Sequence, residues 1–235
     1  MDASIAWMGL DADRFKKYRT WINRGSQGIC GSYCSAVLIH DRVYQDTGHQ
    51  LNRKRLIASL TTLIDRFHPH RGTFIWNLAV GLNQFLIEAP LTVKAALITE
   101  CNVPQLIDNY QQPVIISTLA GLGSPYGNHW LLAYQYGYDG AGNLYFKCYD
   151  NHGRYQAVVP ARHTISVVYL VAKEPVVPVS KPAQLGKPEI SPGVKFISNR
   201  EYDIQQANQA AKTAYENNKK KFLGKDFNEW KDMII

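Results

Sequence analysis

The sequence predicts an α+β fold, with helices in the first half of the domain and an antiparallel sheet in the second. Apolar residues recur at helical spacing as far as residue 110. From residue 113 to residue 172, β-branched and aromatic runs are separated by Gly, Asp, Asn and Pro. The two patterns follow one another instead of alternating, so the chain lacks the repeated βαβ signature of a parallel sheet.

The helical half contains five predicted helices. Gly, Pro or a capping residue marks most of their ends. Their predicted bounds are 11–23, Cys30 to about Asp46 with a stop at Thr47-Gly48, 53–67, a helix capped by Thr73, and a short helix near 104–110.

The second half contains five predicted strands. "YDGAGN" has the composition of a hairpin turn between the second and the third of them. The strands are "PVIIS" at 113–117, "HWLLAYQY" at 129–136, "NLYFKCYD" at 143–150, "RYQAVV" at 154–159 and "ISVVYLVA" at 165–172.

Composition and charge limit the classes of function. With 46% hydrophobic residues among 235, the chain can build a sizeable core. The net charge is +7, but the basic residues are scattered, so we predict no nucleic-acid partner. No stretch approaches 18 apolar residues, so no membrane span is predicted. "MDASIAWMGL" lacks a basic region and is no signal peptide, which fits either a cytoplasmic protein or an exported one whose leader precedes Met1.

The amino-acid composition of the chain changes after the last predicted strand. "PVVPVSKPAQLGKPEISPG" holds five prolines and reads as an extended linker, and a modest amphipathic helix follows it. We therefore predict a domain over 1–174, a Pro-rich linker over 175–199 and a helical extension over 200–235. The extension is the candidate binding site for a protein partner.

The predicted fold brings a cysteine, a histidine and an aspartate together, and this combination indicates nucleophilic catalysis. His129 begins one strand and Asp150 ends the next, so a hairpin brings them together. A cysteine at the start of the helix that begins at Cys30 completes a Cys-His-Asp triad. The helix N-terminus is expected to lower the thiol pKa, and Asp150 to orient the imidazole.

These residues resemble those of the papain-like cysteine peptidases, nearest the staphopains and the compact bacterial leader-processing members. "QGICGSYCSA" resembles the Gln-Gly…Cys opening of that family, "NHW" its His motif, and "DNHG" lies where relatives carry Asn-Ser-Trp-Gly. The resemblance covers roughly residues 20 to 172. It implies a helical subdomain and a sheet subdomain with the active-site cleft between them, a peptide or protein substrate, and no cofactor or metal.

The resemblance leaves the nucleophile open between two cysteines. The longer Gln-to-Cys gap of papain favours Cys34. Cys30 is favoured because it starts a longer helix, has Tyr33 three residues later, and follows Gly28 in a tight turn. We select Cys30, with Gln27 and the main-chain N–H of the nucleophile as oxyanion donors. The gap of three residues from Gln27 to Cys30 is, however, shorter than the corresponding gap in papain.

Other interpretations stay open at this point. Asp150 is also a typical Asx-turn residue, and His152, which replaces the family's Trp, reads as a turn residue. The same triad serves amidases, peptidoglycan hydrolases and acyltransferases, and a non-catalytic interaction module is a third possibility. A zinc site or a disulfide explains the cysteines less well, because their spacing suits neither. The zinc site would use the side chains of Cys30, Cys34, His68 and His70.

Overall fold

The computed structural model describes residues 5–24, 28–65 and 72–173 of the chain. The features that were predicted outside these residues are Gln27, His68, His70, the linker 175–199 and the extension 200–235. The division of the chain into domain, linker and extension therefore stays a prediction.

The α+β class is confirmed, because the helices come first and the strands form one antiparallel sheet. A 3-10 helix, Ala12–Thr20, takes the place of the first predicted helix. Among the helices of the described residues, none combines the length and the hydropathy that crossing a membrane requires. The α-helices are α1 (Cys30–Thr47), α2 (Arg53–Ile64), α3 (Ile75–Phe85) and α4 (Thr99–Tyr110).

Within the described residues, the sheet has seven strands: β1 (Ala6–Gly9), β2 (Leu91–Leu97), β3 (Val114–Thr118), β4 (His129–Tyr138), β5 (Leu144–Tyr149), β6 (Ala157–Pro160) and β7 (Thr164–Ala172). Six of them follow the order β2-β7-β3-β4-β5-β6, and β1 pairs with the far end of β4. The sequence pattern did not predict β1 and β2, which are a four-residue strand and a strand containing Lys and two Ala.

The hairpin of β4 and β5 places the two predicted partners of the cysteine at one end of the sheet. The pairing ends at Leu132 and Tyr149, so the first residues of β4 extend beyond the last pair of β5. His129 begins β4, and Asp150 follows β5 directly. The main chain at the start of β4 is therefore free of a β5 partner and bonds to other parts of the molecule.

Helix α1 is the central helix of the domain and packs against β4. Its buried residues run almost without interruption from Cys30 to Asp41, because the helix has the sheet on one side and α2 and α3 on others. It ends as predicted at Gly48, whose φ of 73° closes the last turn through a bond from its N–H to Tyr44 O, 2.9 Å away. The first part of α1 lies against the start of β4, because the Cys34 thiol donates to Trp130 O.

A buried polar cluster joins α1 to the 3-10 helix. His40 Nδ1 lies 2.8 Å from the Tyr18 hydroxyl, and Arg14 bonds to both carboxylate oxygens of Asp41. Burial, and next the charge of Lys17, lower the pKa of His40 to about 4. His40 is therefore neutral in the folded protein at neutral pH, although an unfolded chain protonates it near pH 6.5.

We expect His40→Gln to reduce the acid sensitivity of the fold. The unfolded state binds a proton at His40 below pH 6.5 and the folded state only below about 4, so this residue lowers the free energy of unfolding as the pH falls through that window. The loss between pH 6.5 and 4 should be smaller in His40→Gln by about 2 kcal/mol, after allowance for solvent screening. Urea unfolding across the pH range measures this. The matched control is His49→Gln, at an exposed position after α1, and equal slopes for both variants would contradict the prediction.

Candidate active site

Cys30 is the first residue of α1, and the sequence predicted that a helix begins at this residue. Gly28 has a φ of 93°, a conformation that favours glycine, and turns the chain into the helix two residues earlier. Ile29 is the N-cap, and no side chain there accepts the first helical N–H groups. The Cys30 sulfur consequently lies where main-chain donors at the helix start are available to it.

The Cys30 thiol is bound by main-chain groups yet is a weak acid. It is 8% exposed, and burial raises its pKa above the ordinary value of 9.0. Hydrogen bonds from the main chain of Trp130 and of Gly31 oppose that rise, while the charge of Asp65 adds to it. The helix N-terminus thus acts in the expected direction, but burial is the larger effect, and the net change in pKa is opposite to the one we expected.

Cys34 has the surroundings of a structural residue. It is fully buried, its thiol donates to Trp130 O over 3.3 Å, and Asn151 Nδ2 lies 3.5 Å from its sulfur. Burial, and next the nearby Cys30, raise its pKa well above 9.0. These contacts favour Cys30 over Cys34 as the thiol that meets a substrate.

A main-chain carbonyl fixes the proton on the His129 ring. His129 Nε2 lies 3.0 Å from the carbonyl oxygen of Asp150. A carbonyl oxygen only accepts, so Nε2 must carry the hydrogen, and in the neutral ring Nδ1 holds the free lone pair. The next residue, Trp130, hydrogen-bonds to the Cys30 thiol through its main chain. The structure therefore brings Cys30, His129 and Asp150 into one region.

Two further rings surround the His129 imidazole. Tyr126 stacks on it with 5.7 Å between the ring centroids, and the His152 ring is 4.5 Å away. Burial lowers the pKa of His129 below 6.5, the Asp150 carbonyl partly opposes this, and the charge of His152 lowers it further. Together with the raised pKa of Cys30, these shifts favour an uncharged Cys30 thiol and an uncharged His129 imidazole.

The Asp150 carboxylate is directed at a turn and at Tyr126. Its Oδ1 accepts the N–H groups of His152 and Arg154 at 2.8 and 2.9 Å, which is Asx-turn geometry. Its Oδ2 accepts the Tyr126 hydroxyl at 3.2 Å. Asp150 contacts His129 through its main chain, as described above, and its side chain holds the turn that presents this carbonyl.

Sequence reasoning missed three contributors to this region. Asn151 is buried with a φ of 48°, and its Nδ2 donates to Trp130 O over 3.0 Å. Tyr126 links His129 to Asp150. Trp130, the last residue of the "NHW" motif, bonds to Cys30 and Cys34 through its main chain. Their positions in "PYGNHW" and "DNHG" were the available signal, because each lies within three residues of His129 or Asp150.

We expect Asp150→Asn to retain turnover within about fivefold and Asp150→Ala to lose roughly 10- to 100-fold. Asparagine keeps an oxygen for the His152 and Arg154 N–H groups, whereas alanine releases the turn that aims the carbonyl at His129. Steady-state kinetics of both variants, with melting temperatures, measures the difference. A loss near 10⁴-fold in Asp150→Asn would instead assign the negative charge a direct role.

The remaining chemistry of the cysteines is limited. Cys30, Cys34, Cys101 and Cys148 are free thiols. Within residues 5–24, 28–65 and 72–173, no group of three or more His, Cys, Asp or Glu side chains is arranged to hold a metal ion. Gln27, the predicted oxyanion donor, lies outside the described residues, so its role stays a prediction.

Neither a protein-family model nor a curated protein sequence matches the chain. Among solved structures, it is similar to the bromelain protease from Ananas comosus in complex with the E64 inhibitor, with 11% identity, a TM-score of 0.43, and coverage of 71% of this chain and 99% of that one. A recombinant stem bromelain precursor gives 11% identity, a TM-score of 0.44, and coverage of 72% and 70%. Similarity at this level leaves the activity to be argued from the site itself.

Proposed function

We propose that the chain is a papain-like cysteine peptidase that hydrolyses peptide bonds through Cys30, His129 and Asp150. The observation that carries the proposal is the junction at Trp130: its main chain bonds to the Cys30 thiol, and the preceding residue is a histidine whose tautomer is fixed by the Asp150 carbonyl. Nucleophilic catalysis requires a thiol and a base in one site. Cys30 at a helix N-terminus supplies the thiol, and His129, whose Nδ1 lone pair is free, supplies a base in the same region.

Acylation begins from the uncharged pair. The Cys30 sulfur forms a bond to the carbonyl carbon of the substrate, and the thiol proton passes to His129 Nδ1 as the carbonyl electrons move to oxygen. The main-chain N–H of Cys30, with Gln27 as the further proposed donor, stabilises that oxyanion. The C–N bond then breaks, the proton on Nδ1 goes to the leaving amine, and a thioester remains on Cys30.

Deacylation uses the same groups with water in place of the thiol. His129 Nδ1 takes a proton from water as its oxygen attacks the thioester carbonyl. The intermediate expels the Cys30 sulfur, which recovers the proton from His129, and the carboxylic acid product leaves. The Nε2–H bond to the Asp150 carbonyl holds the ring in one orientation through both half-reactions and stabilises it while it is positively charged.

The test is whether an acyl group accumulates on Cys30. A short peptide p-nitrophenyl ester is mixed with the protein, the burst of nitrophenol is followed, and the adduct is located by mass spectrometry. We expect a burst and a thioester on Cys30. Cys101, which is exposed, is the internal control for non-specific acylation. Absence of an adduct on both Cys30 and Cys34 would remove the catalytic proposal and leave a non-catalytic interaction module, whereas an adduct on Cys34 alone would reassign the nucleophile.

A substrate panel separates the peptidase from enzymes that use the same triad differently. Casein, muropeptides, and an acyl donor with an amine acceptor are compared at equal enzyme concentration. Cleavage of casein supports the peptidase, cleavage of muropeptides alone indicates an amidase or peptidoglycan hydrolase, and amide formation without hydrolysis indicates an acyltransferase.

A further inference from the structure

We infer that Trp130 and Thr73 are positioning residues of the candidate active site, a role that rests on the proposed function. They form a tether that runs from the strand carrying His129 to the turn that carries Cys30. The Trp130–Thr73 and Thr73–Gly28 hydrogen bonds of this tether join residues that lie far apart in the sequence.

The first link joins the strand β4 to the segment before α3. The indole Nε1 of Trp130 donates to the carbonyl oxygen of Thr73 over 2.7 Å. The Trp130 side chain is 5% exposed, so little water competes for its N–H. Since Trp130 follows His129 directly, this bond restrains the main chain that carries the imidazole.

The second link joins Thr73 to the turn before Cys30. The Thr73 hydroxyl lies 2.9 Å from Gly28 O and 2.6 Å from Asp65 Oδ1, and it shares its single proton between these two acceptors. Asp65 Oδ2 in turn accepts the Ser32 hydroxyl at 2.5 Å. Thr73 therefore contacts the turn at Gly28 and, through Asp65, the first turn of α1.

Close packing reinforces the second link. A Cβ atom placed on Gly31 would lie 2.5 Å from Thr73 Cγ2 and 2.9 Å from its Cβ, which is closer than real Cβ contacts come. Helix α1 and Thr73 thus approach each other only because residue 31 has no side chain. A contact this tight leaves Thr73 little freedom to move away from the residue after Cys30.

The tether has a consequence for the chemistry. Cys30 lies on the first turn of a helix and His129 on the first residue of a strand, so their separation depends on how these two elements are held. A displacement of about 1 Å between reacting groups can cost roughly 100-fold in rate. The main-chain bond from Trp130 to Cys30 connects the start of β4 to the start of α1 at one point. The hydrogen bonds from Trp130 to Thr73 and from Thr73 to Gly28 connect them at a second point.

The experiment is a double-mutant cycle on the rate of acylation of Cys30 by the peptide p-nitrophenyl ester. Trp130→Phe removes the indole N–H and keeps the ring and the main chain. Thr73→Val keeps the shape of the side chain and removes the hydroxyl. The matched controls are Thr73→Ser, which retains the hydroxyl, and Trp21→Phe, which alters a buried tryptophan that packs edge-on against Tyr18.

We expect each of Trp130→Phe and Thr73→Val to slow acylation by about 10- to 100-fold with KM unchanged. Thr73→Ser keeps the hydroxyl and should be faster than Thr73→Val, and Trp21→Phe should stay near the unmodified protein. Because the two bonds act in series, the double variant should be no slower than the slower single variant. The inference would be overturned if the two rate losses multiplied in the double variant or if only KM changed. An equally large loss of acylation rate in Trp21→Phe would also overturn it. If the unmodified protein forms no acyl group on Cys30, both the proposed function and the tether are contradicted. If the unmodified protein and both single variants are acylated at the same rate, only the tether is contradicted.

Discussion

Cys30→Ser is expected to lower peptide turnover by at least about 10⁴-fold, while Cys34→Ser is expected to retain it within about fivefold. Cys30 starts α1 and is bound by the main-chain donors at the helix N-terminus. Cys34 is fully buried, and a serine there can still donate to Trp130 O. The loss of the first sulfur removes the nucleophile, and the loss of the second changes only packing.

Both variants need a proof of folding before turnover is compared. The melting temperature of Cys30→Ser should match that of the unmodified protein closely, and that of Cys34→Ser should be slightly lower because a hydroxyl replaces a larger sulfur in the interior. Turnover that survives in Cys30→Ser and disappears in a folded Cys34→Ser would keep the class of enzyme and reassign its nucleophile to Cys34.

The second large effect concerns His129 and the pH range of activity. His129→Ala should lower turnover by about 10³- to 10⁴-fold, because no group then accepts the thiol proton. In the unmodified protein the reactive state holds one proton on the pair. This state, with a protonated Cys30 thiol and a neutral His129 ring, is lost at acidic pH when His129 is protonated. It is lost at alkaline pH when the thiol ionises. Since the pKa of His129 lies below 6.5 and that of Cys30 above 9.0, the plateau of kcat/KM should extend from below pH 6.5 to above pH 9.0.

Thiolate absorbance in the ultraviolet separates this uncharged pair from a preformed ion pair. We expect the difference spectrum between the unmodified protein and Cys30→Ser to show no thiolate at neutral pH and to gain it above pH 9.0. A thiolate signal at neutral pH that disappears in His129→Ala would contradict the uncharged pair. His152→Gln supplies the control for His129→Ala: it should retain turnover and move the acidic limit to higher pH, because the charge of His152 lowers the pKa of His129.

Much of the fold follows from patterns within single segments of the sequence. Helical spacing and the Thr47-Gly48 stop predicted α1 to within a residue of its observed end. The β-branched and aromatic runs predicted five of the seven strands, and the hairpin turn predicted that the start of β4 lies beside the end of β5. These signals are local, because backbone preference and burial on one face act over a few neighbouring residues. The strands β1 and β2 lack such a signal and form because β4 and β7 offer them open edges.

The sequence by itself determined that a cysteine begins a buried helix, that a histidine begins a strand, and that an aspartate ends the next strand. Only the tertiary structure decided which atom of Asp150 contacts His129, because the carboxylate is taken by the turn at His152 and Arg154. It also decided the pKa of Cys30, since burial by residues distant in the sequence outweighs the helix N-terminus. Burial and long-range hydrogen bonds depend on what the fold brings together, and spacing along a chain does not record that.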